Sequence, residues 1–186
     1  MRDRIMDAAE ARMRWAGFNA VSFRDIANEV GVKSASVHYH FPTKEDLGVA
    51  LVERYAERQF DALDAATKGV GDPTERVKAL AALHRDAFVE GKSICLCAML
   101  SAESIGLPER VASAVKAFYD GSLNWLKDSF AGDPAAATRA ESVFAALQGG
   151  LLIAAVSRDG AHMRRAAAGA VAMATAPMNR ADEQGQ

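Results

Sequence analysis

The chain has 186 residues, half of them hydrophobic, with only five prolines and two cysteines. Its 22 basic residues stand against 24 acidic ones, a formal net charge of −2, so there is no domain-wide positive charge and bulk electrostatics cannot hold a nucleic acid. Two cysteines argue against a disulfide scaffold, and the Ala, Leu, Val and Met content favours helices around a sizeable core.

Charges at positions 2, 3, 4 and 7 argue against a signal peptide. The longest apolar run, residues 144–156, is interrupted by Gln148 and is shorter than the roughly 20 residues a membrane span needs. The expectation is a cytoplasmic chain with no membrane partner.

Residues 22–47, S-F-R-D-I-A-N-E-V-G-V-K-S-A-S-V-H-Y-H-F-P-T-K-E-D-L, read as one unit. Ser22 followed three residues later by Asp25 is a helix-capping pattern. Phe23, Ile26, Ala27 and Val30 then recur at helical spacing and predict a buried face. Gly31 sits where that helix must stop, because glycine takes the left-handed conformation at low cost. A second helix is predicted from Lys33 to His40, anchored inward by Val37 and Phe41 and ended by Pro42. Thr43 and Asp46 repeat the capping pattern and open another helix at Lys44. What remains outward on the second helix is Lys33, Ser34, Ala35, Ser36, His38, Tyr39 and His40. Small residues let a helix approach base edges, and Tyr39, His40 and Lys44 suit phosphates. This is the pattern of a helix-turn-helix facing DNA; a helical hairpin with a merely solvated polar face would share it.

Residues 4–47 resemble the DNA-binding domain of TetR-family transcriptional regulators, through R-I-M-D-A-A-E-A-R-M-R-W-A-G-F-N-A-V-S-F-R-D-I-A-N-E-V-G-V and V-H-Y-H-F-P-T-K-E-D-L. The resemblance implies an all-α protein of about nine helices. A three-helix DNA-binding domain (1–47) precedes a helical effector-binding and dimerisation domain (48–178) and a polar tail (179–186). By position, Ser34, Ala35 and Ser36 would reach bases, with Arg24 as a further reader, and Ser22, His38, Tyr39, His40 and Lys44 would lie along the backbone. Arg24, Lys33 and Lys44 form the local basic cluster on which DNA binding would rest. His38 stands where the family most often has tyrosine, and Arg2 and Arg4 are the only candidates for a basic arm. The implied partners are a palindromic double-stranded operator, a second copy of the chain and a small-molecule effector. No cofactor or metal is implied.

Beyond residue 47 the pattern is helical with punctuated breaks. One helix runs from about Lys44 to Thr67 with Glu53, Arg54, Glu57, Arg58, Asp61 and Asp64 on an expected solvated face. Pro73 suits the first turn of the next, which ends near Gly91. Others are predicted from about Ser93 to Gly106, from Pro108 through Trp125, from beyond Pro134 to Arg158, and from Ala161 to Ala176. The last two carry small residues: Ala146, Gly149, Gly150 and Ala154 on one, Ala167, Ala170 and Ala174 on the other. Glycines inside a helix cost about 1 kcal/mol each relative to alanine, so close helix approach is expected, inside one subunit or between two. The family resemblance implies a four-helix dimer interface here. It also implies an effector pocket among the middle helices, with Phe88, Cys95, Met99, Phe118, Tyr119, Trp125 and Phe144 as candidate lining and His84 and Asn124 as polar contacts.

Cys95 and Cys97 lie in an apolar helical stretch, and two residues apart on a helix they should diverge. They are two small buried residues or a reactive site. C-L-x-x-x-L-S-A-E is similar to a stretch in the branch containing the N-ethylmaleimide-responsive repressor, where the residue matching Cys95 senses electrophiles. An enzyme is not expected: the four histidines are scattered, without H-E-x-x-H or C-x-x-C spacing, a Gly-rich phosphate loop or a serine elbow.

Overall fold

Side-chain caps open the second and fourth helices of the chain. The structure, a computed structural model, describes residues 1–91 and 94–175. α1 (Arg2–Ala16) buries Ile5, Met6, Ala9 and Met13 along one stripe. α2 (Phe23–Val30) opens on Ser22, whose hydroxyl accepts from the Asp25 amide. It closes on Gly31 at φ 75°, with the Val32 amide donating to the Ala27 carbonyl. α3 (Ser34–His40) turns Val37 fully inward, and Phe41 follows it into the core. α4 (Lys44–Thr67) starts at a full capping box between Thr43 and Asp46.

Five further helices complete the frame: α5 (Pro73–Gly91), α6 (Leu96–Ala102), α7 (Glu109–Ser129), α8 (Ala136–Ser157) and α9 (Gly160–Thr175). The nine α-helices expected are all present among the described residues, with no strand among them and a short 3-10 turn, Ser104–Gly106, after α6. α4 runs unbroken across the expected domain boundary at residue 47. The tail, 179–186, lies outside the described residues.

Three expectations need correction. The helix expected over 93–106 is only α6, because Cys95 stands at its N-cap and Glu103 ends it. Arg54 and Arg58 do not lie idle on a solvated face. Both reach across to Glu10 of α1, at 2.9 and 2.6 Å, and Arg54 also meets Asp7 at 2.8 Å; Glu10 is only 6% exposed. Finally, Gly150, Ala154 and Ala170 are buried, within the α8–α9 packing of one chain. A Cβ at Gly150 would collide with that of Ala166, so this close approach is intramolecular. Helix α8 is long and apolar enough to cross a membrane by length and composition, but it is packed against α5, α7 and α9.

Candidate nucleic-acid interface and effector cavity

The turn between α2 and α3 fixes which face of α3 points out. Val37 is fixed in the core, so residues on the opposite side of this short helix are presented to solvent. Lys33, Ala35, Ser36, Tyr39 and His40, with Met1 from the start of α1, line one open groove of about 350 Å³. Tyr39 is 83% exposed and meets the His40 ring edge-on at 5.2 Å. Ser22, Arg24 and Lys33 are exposed and Ser34 partly so. His38 is placed differently: its ring packs edge-on against Phe23 at 4.6 Å, and Nδ1 lies 3.4 Å from the Pro42 carbonyl. It braces α3 on α2 as much as it faces outward.

Three further basic residues are tied to rings and carbonyls of the domain itself. The Lys44 ammonium lies 4.5 Å from the Phe18 ring centre and donates to the Asn19 carbonyl at 3.4 Å; desolvation lowers its pKa, opposed by nearby Glu103. Arg4 donates to the Val30 carbonyl at 2.8 Å, at the end of α2, and Arg2 lies over the Phe41 ring at 5.1 Å. The arm candidates therefore tie α1 to the other two helices.

The C-terminal end of α1 is gripped by the larger domain at both ends of α6. Arg14 Nε donates to the Ile94 carbonyl at 2.8 Å. The Glu103 carboxylate accepts from the Phe18 amide at 2.8 Å and the Asn19 amide at 3.4 Å. Gly17, at φ 85° and ψ 175°, occupies a region essentially closed to other residues, and any Cβ there would overlap the Glu103 carboxylate. From α7, Arg110 reaches Asp46 of the α4 capping box at 2.8 Å. No local pattern announces these contacts, since Phe18 and Glu103 lie 85 residues apart.

Where α4, α5, α7 and α8 converge, two cavities of about 20 Å³ each share Gln59, Leu83, His84 and Phe118. Tyr55, Ala87, Cys95 and Leu151 complete one; Phe60, Leu63, Leu80 and Ser122 complete the other. Cys95, Phe118 and His84 were expected in the lining, whereas the α4 face from Tyr55 to Leu63 was missed because its charged neighbours suggested a wet helix. Phe144 and Tyr119 stand behind the lining, in edge contact with each other at 5.5 Å. Phe88 and Met99 do not line either cavity, and Trp125 packs beneath Arg76 at 4.4 Å. Asn124 opens instead onto a separate polar cleft of about 310 Å³ between α7 and α8.

His84 Nδ1 lies 3.0 Å from the Leu80 carbonyl, and its Nε2 3.5 Å from Gln148 Nε2. Desolvation lowers the imidazole pKa, against the Leu80 hydrogen bond, and so favours the neutral ring; a carbonyl can only accept, which makes Nδ1–H the donor to Leu80. Gln148 Oε1 is buried with no hydrogen-bond partner among the described residues; an acceptor left so costs about 1–3 kcal/mol.

Cys95 and Cys97 are both free thiols. They do not diverge as a helical pair would, because Cys95 precedes the helix: the Cys97 thiol hydrogen-bonds to it and holds its ionisation down, to about 6, with help from Tyr55 and against desolvation. The same contact, together with burial, pushes the Cys97 ionisation up. Cys95 is only 7% exposed and Cys97 fully buried.

A helix-turn-helix with an open polar face, carried on an all-α frame that also holds an internal cavity, defines a DNA-binding regulator. The signature described as "Bacterial regulatory proteins, tetR family" matches residues 5–51. The regulator BetI of Rhizobium meliloti is 35% identical over 79 residues, covering 42% of this chain and 39% of its own length. The repressor NemR of Escherichia coli is 27% identical over 117 residues, 61% of this chain and 59% of that protein. The chain therefore spans less than two thirds of either curated relative. A TetR-family regulator from Agrobacterium tumefaciens superposes with a TM-score of 0.87 at 28% identity, covering 94% of this chain and 97% of the other. Residues 5–51 thus carry the DNA-binding signature of the TetR family, and the chain as a whole has the fold of that family's solved regulators.

Proposed function

We propose that the protein is a homodimeric repressor that binds a palindromic operator in the cytoplasm and is released by a small-molecule effector. The observation that carries this reading is the open groove on α3, where Lys33, Ala35, Ser36, Tyr39 and His40 converge. Ser34, Ala35 and Ser36 face base edges, with Arg24 beside them; Ser22, His38, Tyr39, His40 and Lys44 follow the phosphates. The second copy seats on the outer faces of α8 and α9. Leu152, Ile153, Val156 and Met173 are exposed there, and nothing lies within 4 Å of a Cβ at Gly149 or Gly169. A two-fold dimer would present two α3 helices about one DNA turn apart.

Effector binding is relayed through α6. Its N-terminal end, at Cys95, borders the cavity, while Ile94 and Glu103 hold α1 from either side. A ligand that widens the cavity displaces α6 and with it the end of α1. A few kcal/mol of preference for that geometry suffices to release DNA. A thiol-sensing version centred on Cys95 is not favoured, because sensing needs an accessible thiolate and Cys95 is buried.

Mobility shift with the DNA upstream of its own gene, alongside sedimentation of the free protein, tests the reading. Expected are a dimer and a specific shift weakened by Ser36→Ala and by Tyr39→Ala. A monomer, or a shift no stronger than with random DNA, contradicts it.

A further inference from the structure

This inference rests on the effector-binding reading and concerns what the effector must be. Gln148 shares a face of α8 with Phe144 and Leu151, one turn before and one after, and Leu151 lines the cavity. His84, which the Gln148 amide meets, lines both cavities. His84 thus stands between the amide and the two cavities, with Leu151 one turn along α8 in the wall of one of them.

Its orientation is fixed by the ring. Nδ1–H of the neutral imidazole donates to the Leu80 carbonyl, so Nε2 can only accept, and it faces the Gln148 NH2. The opposite rotamer of the amide would set two acceptors against each other. Oε1 is thereby turned away from the histidine and left without a partner among the described residues. The nearby Ser122 hydroxyl cannot supply the missing donor, being committed to the Phe118 carbonyl at 2.9 Å. No lysine or arginine is among the residues that line either cavity, so an anionic ligand would be desolvated without a counter-charge. The aromatic walls could hold a quaternary ammonium, but such a cation has no N–H for Oε1.

We propose that the effector is a neutral, largely apolar molecule carrying one hydrogen-bond donor, a phenolic or alcoholic hydroxyl or an amide N–H, which docks on Gln148 Oε1. Gln148 is then the residue that sets specificity. Its amide bridges ligand and His84, accepting from one and donating to the other, while Phe118 and Leu83 move to admit the apolar body.

Calorimetric titration of the full chain with four probes of one shape tests this: p-cresol, 4-methylanisole, p-toluate and benzyltrimethylammonium. p-Cresol should bind at least about tenfold more tightly than 4-methylanisole, because a site built for a donor rejects the analogue lacking it. In Gln148→Met that ratio should fall to near one while 4-methylanisole binding is retained. Should Gln148→Met not fold, the wild-type ratio decides. Equal binding of p-cresol and 4-methylanisole, or tighter binding of either ion, overturns the donor requirement and leaves the effector cavity standing. Leu83→Ala, which enlarges both cavities, covers the case of a closed wild type: the same ratio is read there. If no probe binds wild type or Leu83→Ala, the cavities are ordinary core, and the effector reading falls with the proposal.

Discussion

The three N-terminal helices close over Ile5, Ile26 and Val37, each fully buried. The larger domain leaves cavities beside Phe118 and, among the described residues, no partner for the Gln148 amide oxygen. One part is a rigid support for a reading helix; the other keeps space and a polar group that packing alone does not need. They meet at α1, where Glu10, Gly17 and the Arg14 and Glu103 contacts concentrate charge and constrained backbone. The contrast teaches that binding DNA and responding to a ligand place opposite demands on packing, and that the seam carries whatever passes between them.

The largest expected effect is at that seam. Glu10→Ala strips the carboxylate shared by Arg54 and Arg58 and should cost about 3 kcal/mol of stability by denaturant unfolding, because the largely buried Arg54 is left with only the exposed Asp7 as partner. A loss below about 1 kcal/mol would mean the arginines are solvated without it. Gly17→Ala follows, at about 2 kcal/mol, from its backbone region and its overlap with Glu103. Glu103→Gln should cost only about 1 kcal/mol while changing how far effector lowers DNA affinity; an unchanged response would remove Glu103 from the relay.

A smaller effect follows from His84. Desolvation holds its pKa below the ordinary value of about 6.5, so in acid the unfolded chain binds more protons than the folded one. The stability tied to its neutral form is present above about pH 6.5 and is lost as pH falls through the folded pKa. The gap in unfolding midpoint between wild type and His84→Gln should therefore narrow below pH 6.5, and a constant gap would show that His84 titrates normally. Smallest for stability is Ser36→Ala, within about 0.5 kcal/mol for an outward-facing site, although it should change which operator is preferred.

The first 50 residues were legible because their signals are local. Ser22, Gly31 and Thr43 each fix a helix end through neighbours no more than four positions away, and Val37 and Phe41 follow from the period. The larger domain yielded its helices but not its site. Tyr55, Gln59 and Phe60 share α4 with charged residues, and only the arrival of α5 and α7 makes a cavity wall of them. The alanine and glycine stripe was visible, yet which faces of α8 and α9 pair with each other depends on their crossing. Cys95 and Cys97 come together because the helix begins at Leu96, two residues into its apolar run.

Selection of binding sites from a pool of random duplexes with the wild-type protein tests the central claim most directly, since it presumes no operator. The account predicts enrichment of one palindrome with half-sites about one helical turn apart, and a shifted preference in the half-site when Ser36→Ala is used. A pool that converges on no sequence, at salt where non-specific binding is suppressed, would contradict it.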